Sequence, residues 1–250
     1  MTQQRRAQML AQHRQKPLAA VPRCVLLLFA LALALQLGWQ ASRPSAHAHA
    51  RALPPAPSLV GLQLAALGEP AALARLTMLY VQGFDEQPGA SLAWRELDYT
   101  TLRTWLARVL ALDPRGQSPL LAASAMYGAV SDPVRARLML EFVHAEFARD
   151  PNRRWPWLAQ AALIARHRLH DLPLAHRYAQ AIRLQATGPG VPAWARQMEI
   201  FILEDMNEYD SASALIGGLL ASGQVTDPNE ARFLAQQLAR LKQQSGALPP

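Results

Sequence analysis

The feature that most constrains this chain is an apolar run near its N-terminus, Cys24-Val-Leu-Leu-Leu-Phe-Ala-Leu-Ala-Leu-Ala-Leu-Gln-Leu-Gly-Trp39, interrupted by one amide, Gln36. Nothing polar patterns the run, so a helix built from it has no face that prefers water. With Ala41 and the preceding Leu18–Val21 stretch it approaches the ~20 residues needed to cross a bilayer. The charge around it is one-sided. Residues 1–52 hold seven basic side chains (Arg5, Arg6, Arg14, Lys16, Arg23, Arg43, Arg51) and no carboxylate, which is the whole formal net charge of +7. The remainder of the chain is neutral. The basic character therefore belongs to a membrane-targeting segment, and no nucleic-acid partner is expected. Five of the seven basic residues precede the run, so the positive-inside rule holds that end in the cytoplasm and exports everything after Trp39.

A cleavable signal peptide is the competing reading. Ala46-His47-Ala48 and Ala48-His49-Ala50 offer A-x-A sites. The basic segment before the run is long, however, and both sites lie far beyond it, which favours an uncleaved signal anchor. Arg5-Arg6 sits too far from the run for a twin-arginine signal. Cys24 opens the run, where a lipoprotein cysteine would close it. It is the only cysteine, so the exported part can hold no disulfide and no cysteine-rich metal site. The expected location is the inner membrane of a bacterial envelope, single-pass, with the C-terminal domain in the periplasm.

The chain then divides by composition. Residues 1–23 form a basic cytoplasmic tail, 24–41 the anchor, and 42–60 an Ala/Pro/Ser/His-rich linker. Residues 61–244 are rich in Ala, Leu and Arg and show no alternating strand pattern, which predicts an all-α domain large enough for a single core. Residues 245–250 read as a disordered tail.

Within 61–244 a spacing of 37 recurs. Leu120, Ser124 and Tyr127 are followed 37 residues later by Trp157, Ala161 and Ile164, then by Trp194, Met198 and Phe201, then by Ala231, Ala235 and Leu238. Large, small and large side chains thus share one helix face. Asp113-Pro114 and Asp150-Pro151 keep the offset, as do Pro119 and Pro156, and Ala175 and Ala212. The pattern predicts stacked αα-hairpins, in which the small residue lets a partner helix approach. The units run over about 70–112, 118–150, 155–187 and 192–223, with a closing helix over 228–244 and an insertion at Gly83–Ala90 in the first. Pro119, Pro156 and Pro228 fit first-turn positions, and Asp227-Pro-Asn-Glu230 reads as a variant capping box. Trp157 and Trp194 are expected between neighbouring hairpins, and Gln180 on the exposed face.

This pattern resembles the tetratricopeptide repeat family. Trp157–Ala161–Ile164–Ala175 and Trp194–Met198–Phe201–Ala212 follow its bulky–small–bulky–Ala order, Glu208-Tyr209-Asp-Ser-Ala212 its usual second-helix start, and Ala111-Leu-Asp-Pro114 its usual end. The period is 37 where that family has 34, and the small position holds no Gly. The resemblance implies a helical solenoid that binds proteins, with a groove lined by Leu121, Ala125, Leu158, Ala162, Ala165, Ala195, Glu199 and Ile202. Those side chains are mostly apolar and small. Either a partner's amphipathic helix fills such a groove, or the chain closes on itself. A homo-oligomer is compatible with both.

Constellations for catalysis are poor. Asp85-Glu86 reads as solvated loop charge, and His144-Ala-Glu146 lacks the spacing of a zinc-protease helix. His167, His170 and His176 with Asp171 are the best metal candidates, although a helix-end role is the simpler reading. No Ser lies in G-x-S-x-G, and no phosphate loop is present. Arg149, Arg153, Arg154, Arg166 and Arg168 form a basic patch; Glu204, Asp205, Glu208 and Asp210 form an acidic one. No catalytic residue, cofactor or metal is expected. A membrane-anchored adaptor for envelope proteins is the leading expectation, with an envelope enzyme or its regulatory subunit as the alternative.

Overall fold

Every regular element of the computed structural model is helical over the residues described, 22–42, 52–84, 97–223 and 225–245. The chain divides into two units, Met1–Ala48 and His49–Pro250. In the first, helix α1 spans Arg23–Ser42, with none of its residues buried. It is long and apolar enough to cross a membrane.

The second unit holds α2 (Leu59–Ala65), α3 (Pro70–Gln82), α4 (Tyr99–Leu112), α5 (Ser118–Leu121), α6 (Pro133–Phe147), α7 (Pro151–His167), α8 (Leu172–Gln185), α9 (Ala193–Asp205), α10 (Tyr209–Ala221) and α11 (Pro228–Ser245). Their starts follow from local chemistry. Ser58, Asp98, Asp132 and Asp171 each accept a hydrogen bond from a first-turn amide, which satisfies a donor the helix leaves unpaired. At Asp98, bonds from the Thr101 hydroxyl and the Thr100 amide hold the carboxyl below its usual pKa. Pro70, Pro133, Pro151 and Pro228 each open their helices, where a missing N–H costs little.

The folded region begins before residue 61. Leu53 is buried, and the Trp105 indole donates to the Pro54 carbonyl at 2.8 Å. The end of the expected linker is therefore packed against the helices. A second correction concerns Pro156. It lies inside α7, because the helix already starts at Asp150-Pro151. Arg153 Nε bonds the Asp150 carboxylate at 3.0 Å across that first turn. Glu230, expected to close a capping box with Asp227, instead accepts from the Gln197 amide of α9.

The helices pack in chain order: α3 on α4, α6 on α7, α7 on α8, α8 on α9, α9 on α10 and α10 on α11. One core cluster runs from Leu53 to Ile202, and a smaller one joins Ile200 and Leu203 to Ala212, Ile216, Leu234 and Leu241. Helix α9 serves both, with Ile202 on one side and Ile200 on the other. After α5 the chain passes through a π-helical turn (Ala122–Met126) and a 3-10 turn (Tyr127–Ala129). Gly128 is needed there: a Cβ would stand 2.8 Å from the Ala123 carbonyl oxygen and 2.9 Å from Leu140.

The repeated positions differ in burial. Leu120, Ser124 and Tyr127 are buried, as are Ala161, Ile164, Ala175 and Ala212. Trp157 is half-buried and donates through its indole N–H to Gln117. Trp194 departs from expectation and is 54% exposed. It sits at the start of α9, where its ring meets Trp155 edge-on at 5.4 Å while its other face points to water. Gln180 is likewise not a free surface position, since its amide reaches Glu199 at 3.4 Å.

Ala161 and Ala175 are both fully buried in the packed pair α7–α8. Ala161→Leu adds three carbons where none fit, and overpacking of this kind costs ~1–3 kcal/mol. Gln185→Leu, at an exposed site on α8, is expected to stay within ~0.5 kcal/mol. Thermal melts of the two full-length variants in detergent compare them directly. Equal melting temperatures would show that the helices do not approach closely at Ala161.

Candidate interaction surface

The eight positions expected to line a groove separate into two groups. Leu158, Ala162, Ala165, Ala195, Glu199 and Ile202 are buried, whereas Leu121 and Ala125 are exposed. The face of α7 and α9 carrying the six is covered by the chain's own packing. Leu158, Ala162 and Ala165 belong to the same core cluster as Ala122, Ala123 and Tyr127. Of the expected surface, only the Leu121–Ala125 edge is open to solvent.

Glu199 is the one charged member, and its burial is compensated. His176 Nε2 lies 3.1 Å from Oε1, and the Arg183 guanidinium donates to Oε2. This cluster ties α8 to α9. Of the expected metal candidates, His176 is engaged in that way, while Asp171 caps α8 and pairs with Arg137. His167 and His170 are exposed, and His170 takes a left-handed backbone, φ 52°. Among the described residues no three His, Cys, Asp or Glu side chains converge as metal ligands would. Asp85-Glu86, and most of the insertion holding it, lie outside the described residues.

The basic patch is also divided. Arg154 is buried, with Nη1 donating to the Glu146 carbonyl at 2.6 Å and carboxylate at 2.9 Å, and Nη2 to the Pro114 carbonyl at 3.0 Å. Arg149 adds a bond to the other Glu146 oxygen at 2.7 Å. The cluster locks the end of α6, the start of α7 and the turn after α4. Arg166 pairs with Asp205, joining α7 to α9, so the opposite patches meet at that point within one chain. Glu204 is taken by Gln237 and Arg240 of α11.

Sequence reasoning missed a cleft of about 380 Å³ between α4 and α6. Arg103, Thr104, Ala107 and Arg108 form one wall; Glu141, Phe142, Ala145 and Glu146 form the other. Glu141 is held by Arg177 and Glu146 by Arg154. Among the described residues no carboxylate lies within ion-pair distance of Arg103 or Arg108. The cleft thus offers two guanidiniums on one wall and a buried aromatic, Phe142, on the other. An acidic or C-terminal carboxylate of an extended peptide fits that chemistry. The only hint in the sequence was Arg103 and Arg108, five residues apart on a helix with a strongly apolar opposite side. Nothing local tells which neighbour completes the wall.

Set against models of protein families, curated proteins and solved structures, the chain matches none.

Beside the cleft, burial and the nearby Arg177 charge lower the pKa of His144 below the ordinary imidazole value, opposed by Glu141. Its ring packs on Tyr178 at 5.1 Å, and burial raises the Tyr178 hydroxyl far above its usual pKa. A folded-state pKa below the unfolded value of ~6.5 means that the unfolded chain binds the proton more readily. Stability from neutral His144 is therefore present above pH ~6.5 and lost as pH falls through the folded value. His144→Gln is expected to flatten the fall in melting temperature below pH ~6.5. An unchanged slope would show that His144 binds its proton equally in the folded and unfolded chain.

Proposed function

We propose that this chain is a membrane-anchored adaptor, with α1 as an uncleaved signal anchor and the helical unit exported to the periplasmic side of a bacterial inner membrane. The observation that carries the reading is the pairing of a bare, membrane-length apolar helix with a separate unit built from sequential helices. The proposed architecture of that unit is a solenoid of αα-hairpins similar to tetratricopeptide repeats. In support, α8 and α10 begin 37 residues apart, at Leu172 and Tyr209, and α3–α4, α7–α8 and α9–α10 pack as neighbouring pairs before the last helix, α11. The groove of such an array is filled here, so partner binding moves to the outside. The α4–α6 cleft, with Arg103 and Arg108, takes an acidic segment of a protein partner.

Cross-linking in intact membranes, followed by purification of the full-length chain in detergent, tests this. The expected result is a stoichiometric protein that is lost from Arg103→Glu/Arg108→Glu while the chain stays in the membrane fraction. Retention of the same partner by that variant would overturn the assignment of the cleft, and recovery of the chain alone would overturn the adaptor reading. Mass spectrometry of the native protein is expected to find peptides from residues 1–23. A mature N-terminus near His49 would remove the anchor.

A further inference from the structure

We infer that the α2–α3 face of the helical unit lies on the lipid bilayer surface, with its apolar side chains in the headgroup–acyl boundary; this rests on the anchor reading above. Val60 and Leu64 on α2, Leu67 in the turn after it, and Leu76, Leu79 and Tyr80 on α3 are all exposed, Leu67 at 91% and Leu64 at 74%. The only charged residues from 59 to 82 are Glu69 and Arg75. Helix α3 buries Ala74, Thr77, Met78 and Val81 against the core, yet its outer side is apolar too. Arg75 is the one charged side chain of α3 and is exposed, and a long side chain of this kind reaches the headgroups while its apolar neighbours enter lipid. Together the two helices are apolar enough to pass for a membrane span, but they bend by 114° at the break between them. The bend excludes one straight crossing and suits a pair lying in the interface, as amphipathic surface helices do.

The chain's connectivity selects lipid as the occupant. Leu53 is already in the core, so only residues 43–52 separate α1 from the folded unit. Ten residues reach at most ~35 Å. The tether also joins the unit at this very edge. The carbonyl of Pro54 accepts from Trp105, and Trp105 lines an apolar cleft of about 320 Å³ with Leu62, Leu73, Leu76 and Tyr80. Tyr80, half exposed, packs on the buried Trp105 at 5.4 Å, and an exposed Tyr suits the membrane–water interface. A tethered domain meets the bilayer at high effective concentration, and its least polar face is the one beside the tether.

Site-directed spin labelling of the full-length chain in phosphatidylethanolamine–phosphatidylglycerol vesicles tests this. In a Cys24→Ser background, labels are placed at Leu76→Cys, at Leu31→Cys in α1, and at Val134→Cys, an exposed apolar site on α6. The expected result is several-fold greater access to oxygen than to a water-soluble nickel chelate at 31 and 76, and the reverse at 134. Lipid access at 31 with free chelate access at 76 would overturn the docking and keep the anchor. A label at 76 that is immobile and shielded from both reagents would mean that protein covers the face, which also overturns it. Chelate access at 31 would remove the anchor itself and this inference with it.

Discussion

Arg154→Met is expected to destabilise the helical unit by ~3–5 kcal/mol, the range for removing one partner of a buried ion pair. The substitution keeps the length of the aliphatic stem and removes the guanidinium. Glu146, 5% exposed, then keeps Arg149 as its cationic partner, and Arg149 is itself exposed and screened by water. The Pro114 carbonyl loses its donor as well, and an unpaired buried acceptor adds ~1–3 kcal/mol within that total. Because the two charges act as one unit, Glu146→Leu/Arg154→Met should be more stable than either single variant. Apolar replacement of both members of a buried pair is often neutral or favourable, and residues in one network do not add. Urea titrations of the full-length variants in detergent, followed by tryptophan fluorescence, measure this. An Arg154→Met variant as stable as the parent would show that the pair is solvated.

Leu158→Ala is expected to cost ~2–5 kcal/mol, as deletion of a fully buried Leu does in a well-packed core. Leu121→Ala should stay within ~0.5 kcal/mol, because Leu121 is 45% exposed and surface changes rarely exceed that. The comparison is sharp because the hairpin pattern assigns both residues to the same binding surface. On an open groove both losses would be small and partner binding would suffer. In a closed core only Leu158 matters, and it matters to folding. Equal stabilities for the two variants would restore the open groove.

Much of the helix layout was legible in the chain. The unit limits 70–112, 118–150, 192–223 and 228–244 fall within a few residues of the observed helices. They were legible because starts and stops are local: Asp98, Asp132 and Asp171 cap with their own side chains, and Pro70, Pro133 and Pro228 begin helices without needing any neighbour. Pro156 misled because it repeats the offset of Pro119, while the stronger local start, Asp150-Pro151, lies five residues earlier. The candidate site was far less legible. Neither the cleft between α4 and α6 nor the apolar outer side of α3 appears as a motif, since each depends on what does or does not pack opposite.

The sequence by itself determined a membrane-length apolar helix, an all-helical unit after it, and the small buried positions Ala161, Ala175 and Ala212. Those follow from side-chain type and period, which act over one or two helix turns. Only the tertiary structure decided that Leu158, Ala162 and Ile202 are core, that Trp194 faces water, and that Glu146 and Glu199 are buried against arginines. Periodicity says which residues share a helix face, but burial depends on whether another element covers it. The partners that do so here, Arg154 to Pro114 across 40 positions and Arg183 to Glu199 across 16, are distant in the chain.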